Sequence, residues 1–340
     1  MEWQIHGHEW AVSLLKTHAS GDKRRHAYLL VGPEGVGRRT LALKFSQALL
    51  CSNPPGPGQF CGICRHCRQL QSMQHPDLSL LVPEEGHKDI LIDQVRELQH
   101  SLALSPYSAK FRIALLLDFQ RATNQAMNAL LKTLEEPQDK VILLLTANNL
   151  ESLLPTIVSR CGVIRLRPAS IASTQSFLEI EKGLSGEQAN LLAHLSGGRV
   201  GAAIHMAEDS AYLSRRRENM LAFLAVLPAP RYQRFQLADK IAKPYDKARV
   251  NLGEVLPLWL SFWRDVFICT SHADLPLVNI DYEAQVSKVA ANLDELSARQ
   301  LVVIHEKAIK ELDLYANPRL LAETLMLQWP FVSVPLLLSE

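Results

Sequence analysis

The nine residues Gly32-Pro-Glu-Gly-Val-Gly-Arg-Arg-Thr40 decide how the rest of the chain is read. They follow a short apolar run, Ala27–Val31, and lead into Leu41–Leu50, whose apolar residues recur at helical spacing. A strand, a glycine-rich turn and a helix in that order are what a phosphate-binding P-loop needs, because backbone N–H groups converge on the anion at the helix N-terminus. Gly32 and Gly37 stand in both glycine positions of the template G-x-x-x-x-G-K-[ST]. The next two residues do not fit. Arg38 replaces the lysine that reaches the terminal phosphates, and Arg39 replaces the hydroxyl that holds Mg²⁺. A guanidinium can touch phosphate but cannot ligate a metal ion. Taken alone, the stretch also reads as a glycine-rich turn unconnected with nucleotides, so the remainder of the chain has to decide.

A chain of 340 residues is long for one core and implies two or three domains. Hydrophobic content of 47% with 21% charged residues excludes a disordered chain. A formal net charge of +1 gives no general attraction for nucleic acid or acidic membrane. Met1–Trp10 lacks the charged-then-apolar pattern of a signal peptide, and the apolar window Val255–Trp263 is stopped by Arg264 and Asp265, too short to span a bilayer. A cytoplasmic protein with no membrane partner is expected.

Short apolar runs at Ala27–Val31, Leu78–Val82, Arg112–Leu117, Val141–Thr146 and Val163–Leu166 read as strands. Helical stretches Ile90–Ala103, Asn124–Glu136 and Glu151–Ser159 lie between the later ones. Near-continuous Val, Ile and Leu imply strands covered on both faces, hence a parallel α/β sheet. In Asn124–Glu136, Thr123 serves as N-cap and Pro137 as stop. Ala126, Ala129, Leu130, Thr133 and Leu134 make one stripe, with Met127 and Leu131 beside it. A core helix or one packed on another subunit has this pattern. Beyond Pro168 the sheet pattern gives way to helices, and Arg215-Arg-Arg217 reads as a solvated helix face.

Four of the six cysteines, Cys51, Cys61, Cys64 and Cys67, follow the spacing C-x9-C-x2-C-x2-C around a Pro/Gly tract. Thiolates this close converge on one tetrahedral ion, and in a cytosolic chain metal binding is favoured over disulfides. Zinc in a closed structural site is expected. An iron–sulfur cluster is the rival, but its motif places a fourth cysteine downstream, whereas here it lies upstream. His66 is a substitute ligand that four thiolates make unnecessary. Cys161 and Cys269 read as buried small residues.

With these pieces in place, the sequence resembles the clamp-loader branch of the AAA+ ATPases, of the bacterial DNA polymerase III type. The resemblance is carried by the four-cysteine insertion after the P-loop helix, His75-Pro-Asp77, Asn128-Ala-Leu-Leu-Lys-Thr-Leu-Glu-Glu-Pro137 and Ser159-Arg-Cys161, with Asn317-Pro-Arg-Leu-Leu-Ala-Glu323 near the C-terminus. It implies a RecA-like AAA+ domain with a zinc insertion (1–167, insertion 51–67), a small helical lid (168–206) and an all-α collar (207–340). An active motor of this branch carries Lys and Thr at positions 38 and 39, and an acidic residue after Asp118; here that residue is Phe119. The resemblance therefore implies an ATPase-inactive stator with a degenerate nucleotide site (Gly32, Gly37, Arg38, Arg39, Asp118, Phe119). It implies a heteropentamer with gamma/tau motor subunits and a delta subunit, acting on the sliding clamp and primer–template DNA. Within Ser159-Arg-Cys161, Arg160 is the implied arginine finger for a neighbour's ATP. The isolated chain is expected to hydrolyse no ATP, although the DNA polymerase III holoenzyme is a nucleotidyltransferase. A gamma/tau-type ATPase and a zinc-dependent nucleic-acid binder are the alternatives.

Overall fold

The computed structural model describes residues 3–21, 23–84, 87–243, 247–314 and 316–332. The last eight residues of the expected collar therefore lie outside the described residues. The chain divides into two compact units, Met1–Phe177 with Gly198–Ala202, and Leu178–Gly197 with Ala203–Glu340.

The first unit is built on five parallel strands in the order β2-β3-β4-β1-β5: β1 (Ala27–Val31), β2 (Leu78–Leu81), β3 (Arg112–Leu116), β4 (Val141–Ala147) and β5 (Gly162–Arg165). Every residue of β1, β3 and β4 is buried. The two-residue period then divides them between two cores. Tyr28 and Leu30 join Leu15, Leu41 and Phe45 on one face. Ala27, Leu29 and Val31 join Val95, Leu98 and Leu130 on the other. Covering both faces is what makes continuous apolar runs, in place of alternating ones, the right sequence for these strands.

Strand ends fall within one or two residues of the expected ones, as does the helix Asn124–Glu135. Thr123 Oγ1 accepts the N–H of Ala126 at its start. Ala126, Met127, Leu130 and Leu134 are its buried side. The expected helix Glu151–Ser159 shrinks to Pro155–Val158. Asn149 Oδ1 takes the Ser152 N–H in a side-chain turn, and Pro155 disfavours helical backbone at Leu154 before it.

The second unit, among the described residues, is helical. Its core gathers Phe223, Trp259, Phe262, Trp263 and Trp329, with Trp259 and Trp329 perpendicular at 4.9 Å between centroids. The helix Ala248–Thr270 carries the apolar window and contains Pro257. No helix among the described residues is long and apolar enough to cross a membrane.

One expectation is corrected here. Arg216 is not part of a solvated face: it is buried, its Nη1 lies 2.5 Å from Asp281 Oδ2 and its Nη2 donates to Asn279 Oδ1 at 2.7 Å.

Candidate functional site

The turn after β1 keeps the two glycines of the P-loop template, with Arg38 and Arg39 where the template has lysine and a hydroxyl. Gly37 precedes the helix Arg38–Leu50 with φ of 105°, a conformation that side chains resist. A Cβ on Gly32 would lie 2.4 Å from the Leu166 carbonyl oxygen. Arg38 is only 7% exposed and its Nη2 donates to Asp118 Oδ1 at 3.0 Å. Its Nη1 is buried with no hydrogen-bond partner among the described residues. Burial lowers the Arg38 pKa, while Asp118 and Glu34 act to raise it. The arginine at the lysine position is thus turned onto the carboxylate at the end of β3. Asp118 itself adopts φ 49° and donates its N–H to Thr146 Oγ1. Phe119 is fully buried in the core, and Arg39 is exposed.

A further contact joins the turn to a segment more than 160 residues on. Ala202 donates its N–H to the Gly35 carbonyl at 3.1 Å, and a Cβ on Gly201 would lie 2.7 Å from that oxygen. Backbone therefore packs directly on the turn. The clustered Gly197, Gly198 and Gly201 are the signal that could have shown it.

The four expected thiols come together. Their sulfurs all lie within 4.8 Å of one another, with Cys51–Cys61 at 3.5 Å and Cys51–Cys64 and Cys61–Cys67 at 4.0 Å. A tetrahedral four-thiolate site with metal–sulfur bonds of about 2.3 Å needs sulfurs about 3.8 Å apart, so the donor set fits. The N–H groups of Cys61, Cys64 and Cys67 point at the sulfurs of Cys51, Cys61 and Cys64, at 3.3, 3.3 and 3.4 Å. Such bonds favour thiolate over thiol. Burial raises Cys51 and Cys67; burial also opposes ionisation of Cys64, but the Cys67 N–H and Ser52 bring it down to about 5. His66 is not part of the four-sulfur group; its Nδ1 lies 2.7 Å from His75 Nε2. Burial is the main cause lowering the His75 pKa, with His66 adding to it. Cys161 is buried, which pushes its thiol up to about 12.

A family profile described as "DNA polymerase III, delta subunit" matches residues 7–170. The chain is 40% identical over 152 residues to the DNA polymerase III subunit delta' of Pseudomonas aeruginosa, covering 45% of this chain and 46% of that one. It is 26% identical over 316 residues to the delta' subunit of Bacillus subtilis, covering 93% and 94%. A DNA polymerase III gamma subunit of Buchnera aphidicola is 25% identical over 309 residues, covering 85% of this chain and 84% of that one. The chain is thus similar to DNA polymerase III delta' subunits, most strongly over a stretch of 152 residues and more weakly over nearly its whole length.

Arg160 follows the short helix Pro155–Val158 and precedes β5. Its Nη1 donates to the Thr156 carbonyl at 2.9 Å and its Nη2 to Glu135 Oε1 at 2.6 Å. Its side chain is 34% exposed. Glu135 closes the helix Asn124–Glu135, so two motifs distant in sequence, Asn128–Pro137 and Ser159–Cys161, meet through this ion pair. Nothing in the two motifs' sequences signals that they touch.

Proposed function

We propose that this chain is an ATPase-inactive delta-prime stator of a DNA polymerase III clamp loader. In that role it helps load the sliding clamp onto primed DNA and supplies Arg160 to the ATP of a neighbouring gamma/tau subunit. The observation that carries the reading is the Arg38–Asp118 pair. Arg38 takes the place of the phosphate-reaching lysine and is already bound to the carboxylate where β3 ends. With Arg39 in place of the metal-holding hydroxyl and Phe119 in place of an acid, the turn lacks the groups that bind Mg²⁺ and orient an attacking water. The gamma-type alternative draws on the gamma relatives, but it requires a functional turn, which this pair opposes.

Cys51, Cys61, Cys64 and Cys67 would hold zinc. Four thiolates leave no open coordination position, so the ion would fold the 51–67 insertion and take no part in chemistry. A division into a RecA-like AAA+ domain (1–167), a lid (168–206) and a collar (207–340) suits this role. So do a heteropentamer with gamma/tau and delta subunits and a cytoplasmic location.

Arg160 gives the test. A guanidinium delivered to a neighbour's γ-phosphoryl group neutralises developing charge, worth roughly 10³–10⁵ in rate where such fingers are well placed. Its pair with Glu135 is half-exposed and worth at most about 1 kcal/mol of stability. Arg160→Ala should therefore leave folding, metal content and complex assembly intact while lowering DNA-stimulated ATPase and clamp loading in reconstituted complexes. Arg160→Lys should restore little, because an ammonium lacks the planar fork. Unchanged rates with the variant fully incorporated would remove the trans-acting role.

A further inference from the structure

The four-cysteine module is joined to an exposed loop by a chain of hydrogen bonds through two histidines and a buried aspartate. Cys64 caps the helix Arg65–Gln71 by accepting the Cys67 N–H on its sulfur, so the helix that bears His66 starts at one of the four thiols and carries another, Cys67. His66 Nδ1 meets His75 Nε2 at 2.7 Å, and His75 Nδ1 accepts the Asp77 N–H at 2.9 Å. In a neutral ring, the acceptor role of Nδ1 places the proton on Nε2, so His75 donates to His66. Both His75 and Asp77 are buried.

The Asp77 carboxylate is spent on one loop. Oδ1 accepts the N–H of Tyr107 at 2.5 Å; Oδ2 accepts the N–H groups of Ser108 and Ala109, both at 2.9 Å, and the Ser108 hydroxyl at 3.2 Å. That loop has little else to hold it. Leu104, Ser105, Tyr107, Ser108 and Lys110 are exposed, Tyr107 at 83%. Of residues 105–109, Ala109 packs against the core, so the rest of the loop is ordered mainly by its hydrogen bonds and opens where these fail. The Asp77 carbonyl is separately pinned in the sheet by the Ile113 N–H. His75 therefore governs the Asp77 peptide N–H and, with it, the aim of the carboxylate.

We propose that the cysteine module acts through His66 and His75 as a brace on residues 105–109, so that metal occupancy sets the order of the loop that displays Tyr107. The inference rests on the reading that the four thiols hold a metal ion. Hydrogen exchange of the full-length protein, followed by mass spectrometry and NMR with metal content measured in parallel, tests it. Removing the ion with a competing chelator should speed exchange of the Tyr107, Ser108 and Ala109 amides by about fivefold, the change one net hydrogen bond is worth. Adding Zn²⁺ alone should reverse it. His66→Ala leaves all four thiols in place, and should loosen the same amides with the metal retained. Asp77→Asn should do so too, which calibrates the effect.

Loop amides that stay protected while the metal is gone and residues 65–71 exchange freely would overturn the brace. So would an unaltered loop in metal-loaded His66→Ala. Should the purified protein hold no metal, the metal reading fails, and His66→Ala still decides whether the histidine path orders the loop.

Discussion

Lowering the pH should destabilise the helical unit by an amount that His305 sets. His305 is fully buried, and its Nδ1–H donates to the Leu301 carbonyl at 2.6 Å. Its Nε2 accepts the indole N–H of Trp329 at 3.2 Å. Both ring nitrogens are thus satisfied in one neutral tautomer, and a second ring proton would face the Trp329 N–H donor to donor. Burial brings the His305 pKa from 6.5 down to about 4, with the Leu301 carbonyl acting against that shift. Between these values the unfolded chain binds a proton that the folded one refuses, so stability is full above pH 6.5 and is lost as the pH falls towards 4. The interval converts to about 3 kcal/mol in total, of which about 2 kcal/mol is gone by pH 5. Urea unfolding at pH 8 and pH 5 measures it. Tryptophan fluorescence suits the unit, since Trp259, Trp263 and Trp329 are all in its core. His305→Gln keeps an acceptor for Trp329 and removes the titration. Its pH profile should be flatter than that of the parent by about 2 kcal/mol between those two conditions. Parallel profiles for the two proteins would refute the assignment to His305.

Arg234 is buried and donates to the carbonyls of Val226, Leu227, Met326, Trp329 and Pro330. Arg234→Met should cost on the order of 3 kcal/mol or more in denaturant unfolding by stranding those oxygens, and Arg234→Lys should recover only part. Arg38→Ala should cost about 1–2 kcal/mol, mostly lost packing because Asp118 is 43% exposed, and calorimetry should still find no useful Mg-ATP affinity. Metal analysis should give about one zinc per chain, and Cys61→Ser should lower that content and loosen the 51–67 insertion to proteolysis. Iron with visible absorbance would count against the assignment.

The sheet was legible because its strands are buried on both faces, which leaves uninterrupted runs such as Val141–Thr146 that little else produces. Helix ends marked by a cap and a proline, as at Thr123 and Pro137, were equally plain. Glu151–Ser159 misled because its composition suits a helix, while Asn149 and Pro155 impose a turn first. Arg216 misled for a different reason. A run of three arginines gives no sign of which member faces inward, and its partners Asn279 and Asp281 lie more than sixty residues on.

The turn after β1 shows the limit most clearly. The sequence displays what the turn lacks, because a missing lysine, hydroxyl or acid is read at a fixed offset from Gly32 and Gly37. What fills the gap is a matter of contacts between distant segments. Arg38 finds Asp118 eighty residues away, and Gly35 receives Ala202 from a different part of the chain. The first contact matters because Asp118 would otherwise lack its cationic partner. Arginine at position 38 neutralises that carboxylate with a group that keeps its charge even when buried, whereas a lysine there could shed its proton. The residue that stands where the P-loop template has lysine is thus also the one that neutralises Asp118.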